Sequence, residues 1–284
     1  MKWIGQREST NVEDQRNGFP GSTLTMGGGV GTLILFLLWV LLGGDPRALM
    51  NQNPAPPPAP AQQGAQDDEL KRFVSVVLAD TEDVWHELFP RQLGQNYREP
   101  KLILFSGHVA SGCGFASSAS GPFYCPADER VYLDMQFFDE LRRRFQAPGD
   151  FAIAYVIAHE IGHHVQEQLG ISQRVDRMRR EVNETESNHI SVRVELQADF
   201  LAGVWAHHAE RTKHILEPGD LEEALRAASA VGDDRLQRQS RGYVILDSFT
   251  HGTSEQRLRW FRRGFETGNL TLMKELFDRD QSEL

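Results

Sequence analysis

Apolar residues recur at helical spacing over most of the second half of the chain, and strand-like runs are few and short. The stretch Leu70–Leu88 carries Phe73, Val76, Val77, Val84 and Trp85 and predicts a helix. Lys101–Phe105 and Arg130–Asp134 read as short strands. Further helices are predicted at about 136–146, 149–169, 171–182, 188–209, 219–231, 254–266 and 270–278. A small sheet followed by a helical half makes an α+β domain. It runs from Asp68 towards the C-terminus, residues 68–284, and is long enough to bury a substantial core.

One run breaks this pattern. Residues 26–43 contain no charge and are apolar on every face. At 1.5 Å per residue such a run is just long enough to cross a hydrocarbon core. It predicts a single transmembrane helix. A cleaved signal peptide is the rival reading, opposed by the long polar stretch before the run and by the lack of a small-x-small cleavage site after it. Lys2, Arg7 and Arg16 precede the run and only Arg47 follows closely. That bias predicts a single-pass membrane protein, with residues 1–25 cytoplasmic and the large C-terminal domain on the extracytoplasmic side. Residues 44–67, with the proline-rich piece Pro54–Pro60, read as a spacer.

The candidate chemistry begins at His159-Glu160-Ile161-Gly162-His163, inside the apolar run Phe151–Leu169. Positions i and i+4 share a helix face, so two imidazoles can hold one Zn²⁺ while Glu160 reaches a water beside it. The plain alternative is a chance match on a helix surface, in a chain with ten histidines. Burial of the preceding residues weighs against that, because buried histidines and a glutamate need partners or a metal. A third ligand is expected at Glu195, in Glu195-Leu196-Gln197-Ala198-Asp199. Asp199, four residues on, would accept a hydrogen bond from the far nitrogen of a ligand histidine. Their alternative is two solvated acids, which the alanines on their face make less apt. His164 points about 100° off the ligand face and reads as a packing residue. His207 and His208 read as a solvated helix end.

HExxH followed by ExxAD resembles the glutamate-zincins. More closely, the chain resembles the bacterial "putative neutral zinc metallopeptidase" family over nearly its whole length. The resemblance rests on Lys2-Trp3, Arg7, Ser9–Asp14 and Arg16, on the apolar run, and on Gly112-Cys113-Gly114 with Gly121–Pro126. It continues through 159–164, 195–199 and Phe249–Arg257. It implies a zincin-like fold, one zinc ion per chain on His159, His163 and Glu195, Glu160 as catalytic base and a peptide or protein substrate. By resemblance to related metallopeptidases, His251 would steady the oxyanion. Arg257 would instead hold Asp199, Glu195 or the loop. In such enzymes an edge strand pairs with extended substrate, and Val131–Asp134 is the candidate.

Cys113 and Cys125 are twelve residues apart in a Gly/Ser-rich stretch. A disulfide there would stabilise by roughly 2–3 kcal/mol on chain-entropy grounds. A second metal site lacks a CxxC, and two free thiols are the remaining alternative. The net charge of −10 gives a nucleic-acid role no support. The sequence therefore predicts a membrane-anchored zinc metalloendopeptidase. Its rivals are a non-catalytic zinc-stabilised interaction module and a zinc hydrolase of a non-peptide amide.

Overall fold

Strands β1 (Val12–Asp14), β2 (Lys101–Phe105), β5 (Phe123–Cys125) and β6 (Arg130–Asp134) form a four-stranded sheet in the order β1-β2-β6-β5. In this computed structural model, which describes residues 1–16, 60–117, 121–143, 149–279 and 284, β1, β2 and β6 run parallel. Val12 lies opposite Leu102, and Leu102 opposite Val131. β5 closes one edge antiparallel to β6, with Tyr124 opposite Val131. Leu102–Phe105 and Val131–Leu133 are buried, as parallel strands covered on both faces must be. β6 lies inside the sheet, and the edge strand beside it is β5, which corrects the expectation for Val131–Asp134. β5 has three residues between Pro122 and Pro126, too few to show a period.

Strands β3 (His108–Ser111) and β4 (Gly114–Ser117) form a separate antiparallel hairpin. Cys113 in its turn is disulfide-bonded to Cys125 of β5, with Cα atoms 5.8 Å apart. Cys125 is buried among Ile103, Phe105, Val109 and Tyr132, so the bond ties the hairpin to the sheet edge.

The helices are α1 (Pro60–Leu88), α2 (Met135–Arg143), α3 (Asp150–Gln168), α4 (Ile171–Arg180), α5 (Glu184–Lys213), α6 (Asp220–Ala230), α7 (Asp233–Arg241), α8 (Ser254–Thr267) and α9 (Glu275–Asp278). The domain is thus α+β, mostly helical with a small sheet. α1 begins at Pro60, inside the stretch expected as spacer. α5 starts earlier than its apolar pattern because Asn183 caps it, accepting a hydrogen bond from the Glu186 N–H. α7 is polar almost throughout and shows no apolar repeat in sequence. α5 and α8 meet backbone to backbone. A Cβ on Gly203 would lie 2.0 Å from the Phe261 carbonyl oxygen, and one on Gly264 would lie 2.1 Å from that of Phe200.

The N-terminal residues belong to this fold. Met1–Arg16 form one compact unit with Lys71–Leu284. The Lys2 N–H donates to the Ile215 carbonyl, Trp3 packs edge-on against Phe73, and β1 extends the sheet. This overturns the expected membrane topology. A strand hydrogen-bonded to β2 lies on the same side of any bilayer as the rest of the sheet. The arginines counted towards orientation are used inside the unit. Arg7 pairs with Glu82 and Asp83, and Arg16 with Asp14. The expected span, residues 26–43, lies outside the described residues. Among those described, no helix is long and apolar enough to cross a membrane.

Candidate metal centre

Two helices and one turn bring the candidate residues together. α3 carries His159, Glu160 and His163, α5 carries Glu195 and Asp199, and the turn ahead of α8 carries His251. Every residue of α3 from Phe151 to Gly162 is buried, so the ligand end continues a rigid core helix. His159 is 6% and Glu160 8% exposed.

Helical spacing sets the His159 and His163 rings at right angles, 4.8 Å apart between centroids. His159 Nε2 lies 3.2 Å from Glu195 Oε2, and His163 Nε2 lies 3.4 Å from Glu195 Oε1. Ligand atoms from all three residues fall within 4.8 Å of one another. The close approach of α3 to α5 depends on Gly162. A Cβ there would sit 3.0 Å from the Ala198 carbonyl oxygen and 3.1 Å from its Cα. The neighbour that Gly162 admits is thus the backbone of α5.

The far nitrogens are held as well. Asp199 Oδ1 accepts from His159 Nδ1 at 2.9 Å, and Gln166 Oε1 accepts from His163 Nδ1 at 2.8 Å. With Nδ1 carrying the proton of a neutral ring, each Nε2 lone pair is free for a metal. Gln166 is itself fixed, donating to the Val194 carbonyl and to Gln197.

Asp199 is fully buried and accepts from Arg257 Nε at 2.8 Å, from Arg257 Nη2 at 3.0 Å and from the Tyr155 hydroxyl. Arg257 is placed by the start of α8, where Thr253 and Gln256 form a capping box. Burial pushes the Asp199 carboxyl pKa up, but Arg257 and His159 outweigh it and hold it below the usual range. Burial lowers the His159 pKa, yet Asp199 and Glu195 raise it to about 10. His163 is raised and Glu195 held well below the carboxylate range by their mutual attraction, against the effect of burial. A cluster so biased takes up either protons or a cation. Two imidazole nitrogens and one carboxylate oxygen, with open space beside them, suit zinc.

That space is a cavity of about 1020 Å³, lined by His159, Glu160, His163, Glu195, His251 and Tyr124 among others. His251 sits in a turn with its side chain 51% exposed. Asp233, the first residue of α7, organises the turn. Its Oδ2 accepts from the backbone N–H groups of Thr250, His251 and Gly252 at 2.8, 2.7 and 3.2 Å. Its Oδ1 lies 3.2 Å from His251 Nδ1. The hydrogen bond to Asp233 raises the His251 pKa, burial opposes this, and the Glu195 charge adds to the rise.

Residues 1–274 match the family described as "Putative neutral zinc metallopeptidase". The chain belongs to that family. It is similar to "Uncharacterized protein YpfJ" of Escherichia coli (strain K12), 49% identical over 278 residues that cover 95% of this chain and 96% of the relative. "Uncharacterized protein Rv2575" of Mycobacterium tuberculosis (strain ATCC 25618 / H37Rv) is 40% identical over 250 residues, covering 81% of this chain and 82% of the relative. No solved structure matches. For a chain of this family, the His159, His163 and Glu195 cluster is where a metal fits among the described residues.

Sequence reasoning missed several participants. Tyr155 lies four residues before His159 and Gln166 three after His163, so helical spacing could have found both. Asp233 carried no signal, because nothing in sequence joins it to a turn seventeen residues on. His207 and His208 are not merely solvated. They bond the Phe265 and Gly268 carbonyls at the end of α8.

Proposed function

We propose that this chain is a zinc-dependent metalloendopeptidase of zincin type, with His159, His163 and Glu195 as zinc ligands. The observation that carries the reading is the convergence of three ligand atoms within 4.8 Å, with Glu160 beside them on one cavity wall. When bound, zinc would polarise the scissile carbonyl and lower the pKa of water beside it. Glu160 takes the proton of the attacking water and delivers it to the leaving amine. Asp199, clamped by Arg257 and Tyr155, keeps His159 in the tautomer that offers Nε2. Gln166 does the same for His163. His251, its pKa raised by the hydrogen bond to Asp233, donates to the carbonyl oxygen as negative charge develops there. The outer edge of β5 offers its backbone to an extended substrate.

The test is incubation of the zinc-loaded full chain with a peptide library. A fragment starting at residue 68 would lack β1 and is unsuitable. Cleavage that stops on chelation and returns with zinc is the expected result. One bound zinc without cleavage of any peptide would contradict the reading, and would favour the interaction module or the non-peptide amide.

A further inference from the structure

β5 is one of the two outer strands of its sheet, and Phe123 and Tyr124 line the same cavity as His159, Glu160 and His163. The height of β5 above the metal ligands therefore sets the height of any chain laid along it. β5 is poorly fixed by its own ladder. It pairs through three residues only, and the prolines at 122 and 126 remove the N–H groups that could extend the pairing. On one face of the sheet, Phe123 stacks on Tyr132, with centroids 4.8 Å apart and planes 7° from parallel. Cys125 is bonded to Cys113.

The next side chain alternates to the other face and meets α3. The Tyr124 ring lies 5.4 Å from that of His164, and its hydroxyl lies 3.1 Å from His164 Nδ1. His164 Nε2 lies 2.7 Å from the Arg98 carbonyl oxygen. The Gln168 side-chain amide nitrogen lies 2.8 Å from the same Nε2 and donates to the Arg98 carbonyl at 3.0 Å; with Nε2–H also given to that carbonyl, Nδ1 accepts from the Tyr124 hydroxyl. Tyr97 packs edge-on against the same imidazole at 5.8 Å, and His164 is 1% exposed. His164 follows His163 directly and points about 100° round the helix from it. One turn of α3 thus presents a metal-ligand face and, beside it, an anchor for the strand that flanks the cavity.

We propose that Tyr124 and His164 are positioning residues that latch the substrate-pairing strand to the metal-bearing helix. This rests on the peptidase reading above and deepens it. The latch governs where an extended peptide backbone sits over the ligands, and leaves the ligands and Glu160 untouched. Core filling alone would predict a loss of stability, with KM and kcat otherwise unmoved.

The test uses the zinc-loaded full chain, a fluorogenic peptide extending several residues to each side of the cleaved bond, and three substitutions. Tyr124→Phe removes only the hydroxyl. His164→Gln keeps a donor near the Arg98 carbonyl and loses the Nδ1 acceptor. His164→Asn places an amide oxygen near the position of Nδ1. Tyr124→Phe and His164→Gln are expected to raise KM roughly fivefold, the effect of one hydrogen bond, with kcat and zinc content kept. The double variant should be no worse than either single one, because both remove the same bond. His164→Asn should lie closer to wild type than His164→Gln. Amide exchange at residues 123–125, read with zinc bound and without peptide, should quicken in Tyr124→Phe. An unchanged KM in Tyr124→Phe would overturn the latch, as would a fall of kcat and zinc content in step with the rise in KM. If the wild type cleaves no peptide, the peptidase reading falls by itself and exchange decides the latch. Faster exchange at 123–125 then supports it, and unchanged exchange overturns it.

Discussion

The cavity has two kinds of lining with different tolerances. On the α3–α5 side, His159 and Glu160 are less than a tenth exposed, and both ligand histidines are pinned at the far nitrogen by Asp199 and Gln166. On the His251 side, the imidazole is half exposed and sits in a turn, held through Asp233. The groups proposed to meet an ion in fixed geometry are on buried helices, where packing leaves them little freedom. The group that would meet charge developing on a substrate is on a turn, where one carboxylate holds four donors and the ring keeps access to the cavity. Rigidity and adaptability are thus assigned to different elements of one site.

The sharpest way to break this contrast is Arg257→Ala. It leaves the Asp199 carboxylate buried without its cation, and a broken buried pair costs about 3–5 kcal/mol. Denaturant unfolding should show a loss of that size, with a fall in zinc affinity; an unchanged midpoint would mean that Asp199 is not clamped. The protons on the helix side come next. Against burial, Asp199 and Glu195 raise the His159 pKa to about 10, so zinc bound there at neutral pH would displace a proton. Affinity should rise about tenfold per pH unit for each proton displaced. A competition titration at pH 6 and 7 measures this, and equal affinities would contradict it.

Gln166→Leu should weaken zinc binding about tenfold, the lower range for partners that orient a ligand histidine. Fluorimetric zinc titration would show it, and unaltered affinity would place Gln166 outside the site. The smallest effect is expected on the turn. Asp233→Asn keeps an oxygen for the backbone N–H groups but removes the charge that raises the His251 pKa. The cationic form then persists only to a lower pH, so the alkaline limb of the activity profile should move down. Activity should fall about fivefold with zinc binding unchanged. A parallel loss of zinc would erase the distinction between the two linings.

Legibility in the sequence follows the same division. The i, i+4 pairs on α3 and α5 made His159, His163, Glu195 and Asp199 readable, since helix geometry turns spacing into a shared face. Gly162 stands in the motif as a poor helix former, but the Ala198 backbone that approaches it is set by tertiary packing and has no signal in the sequence. Asp233 and the Tyr124–His164 contact join distant segments and have no local period. β1 and β5 are three residues each, below the length at which alternation shows. The topology error has a physical cause too. Counting basic residues near an apolar run assumes that they are free, whereas Arg7 and Arg16 are bonded within the fold.

The most direct test of the central claim is the rate of peptide hydrolysis by Glu160→Gln at zinc content equal to wild type. The isosteric amide keeps the cavity but cannot accept the proton of water. Loss of roughly 10²–10⁴-fold in kcat with one zinc retained is expected for removal of the base. Cleavage at the wild-type rate by the zinc-loaded variant would contradict Glu160 as the base, and with it the mechanism assigned to this site.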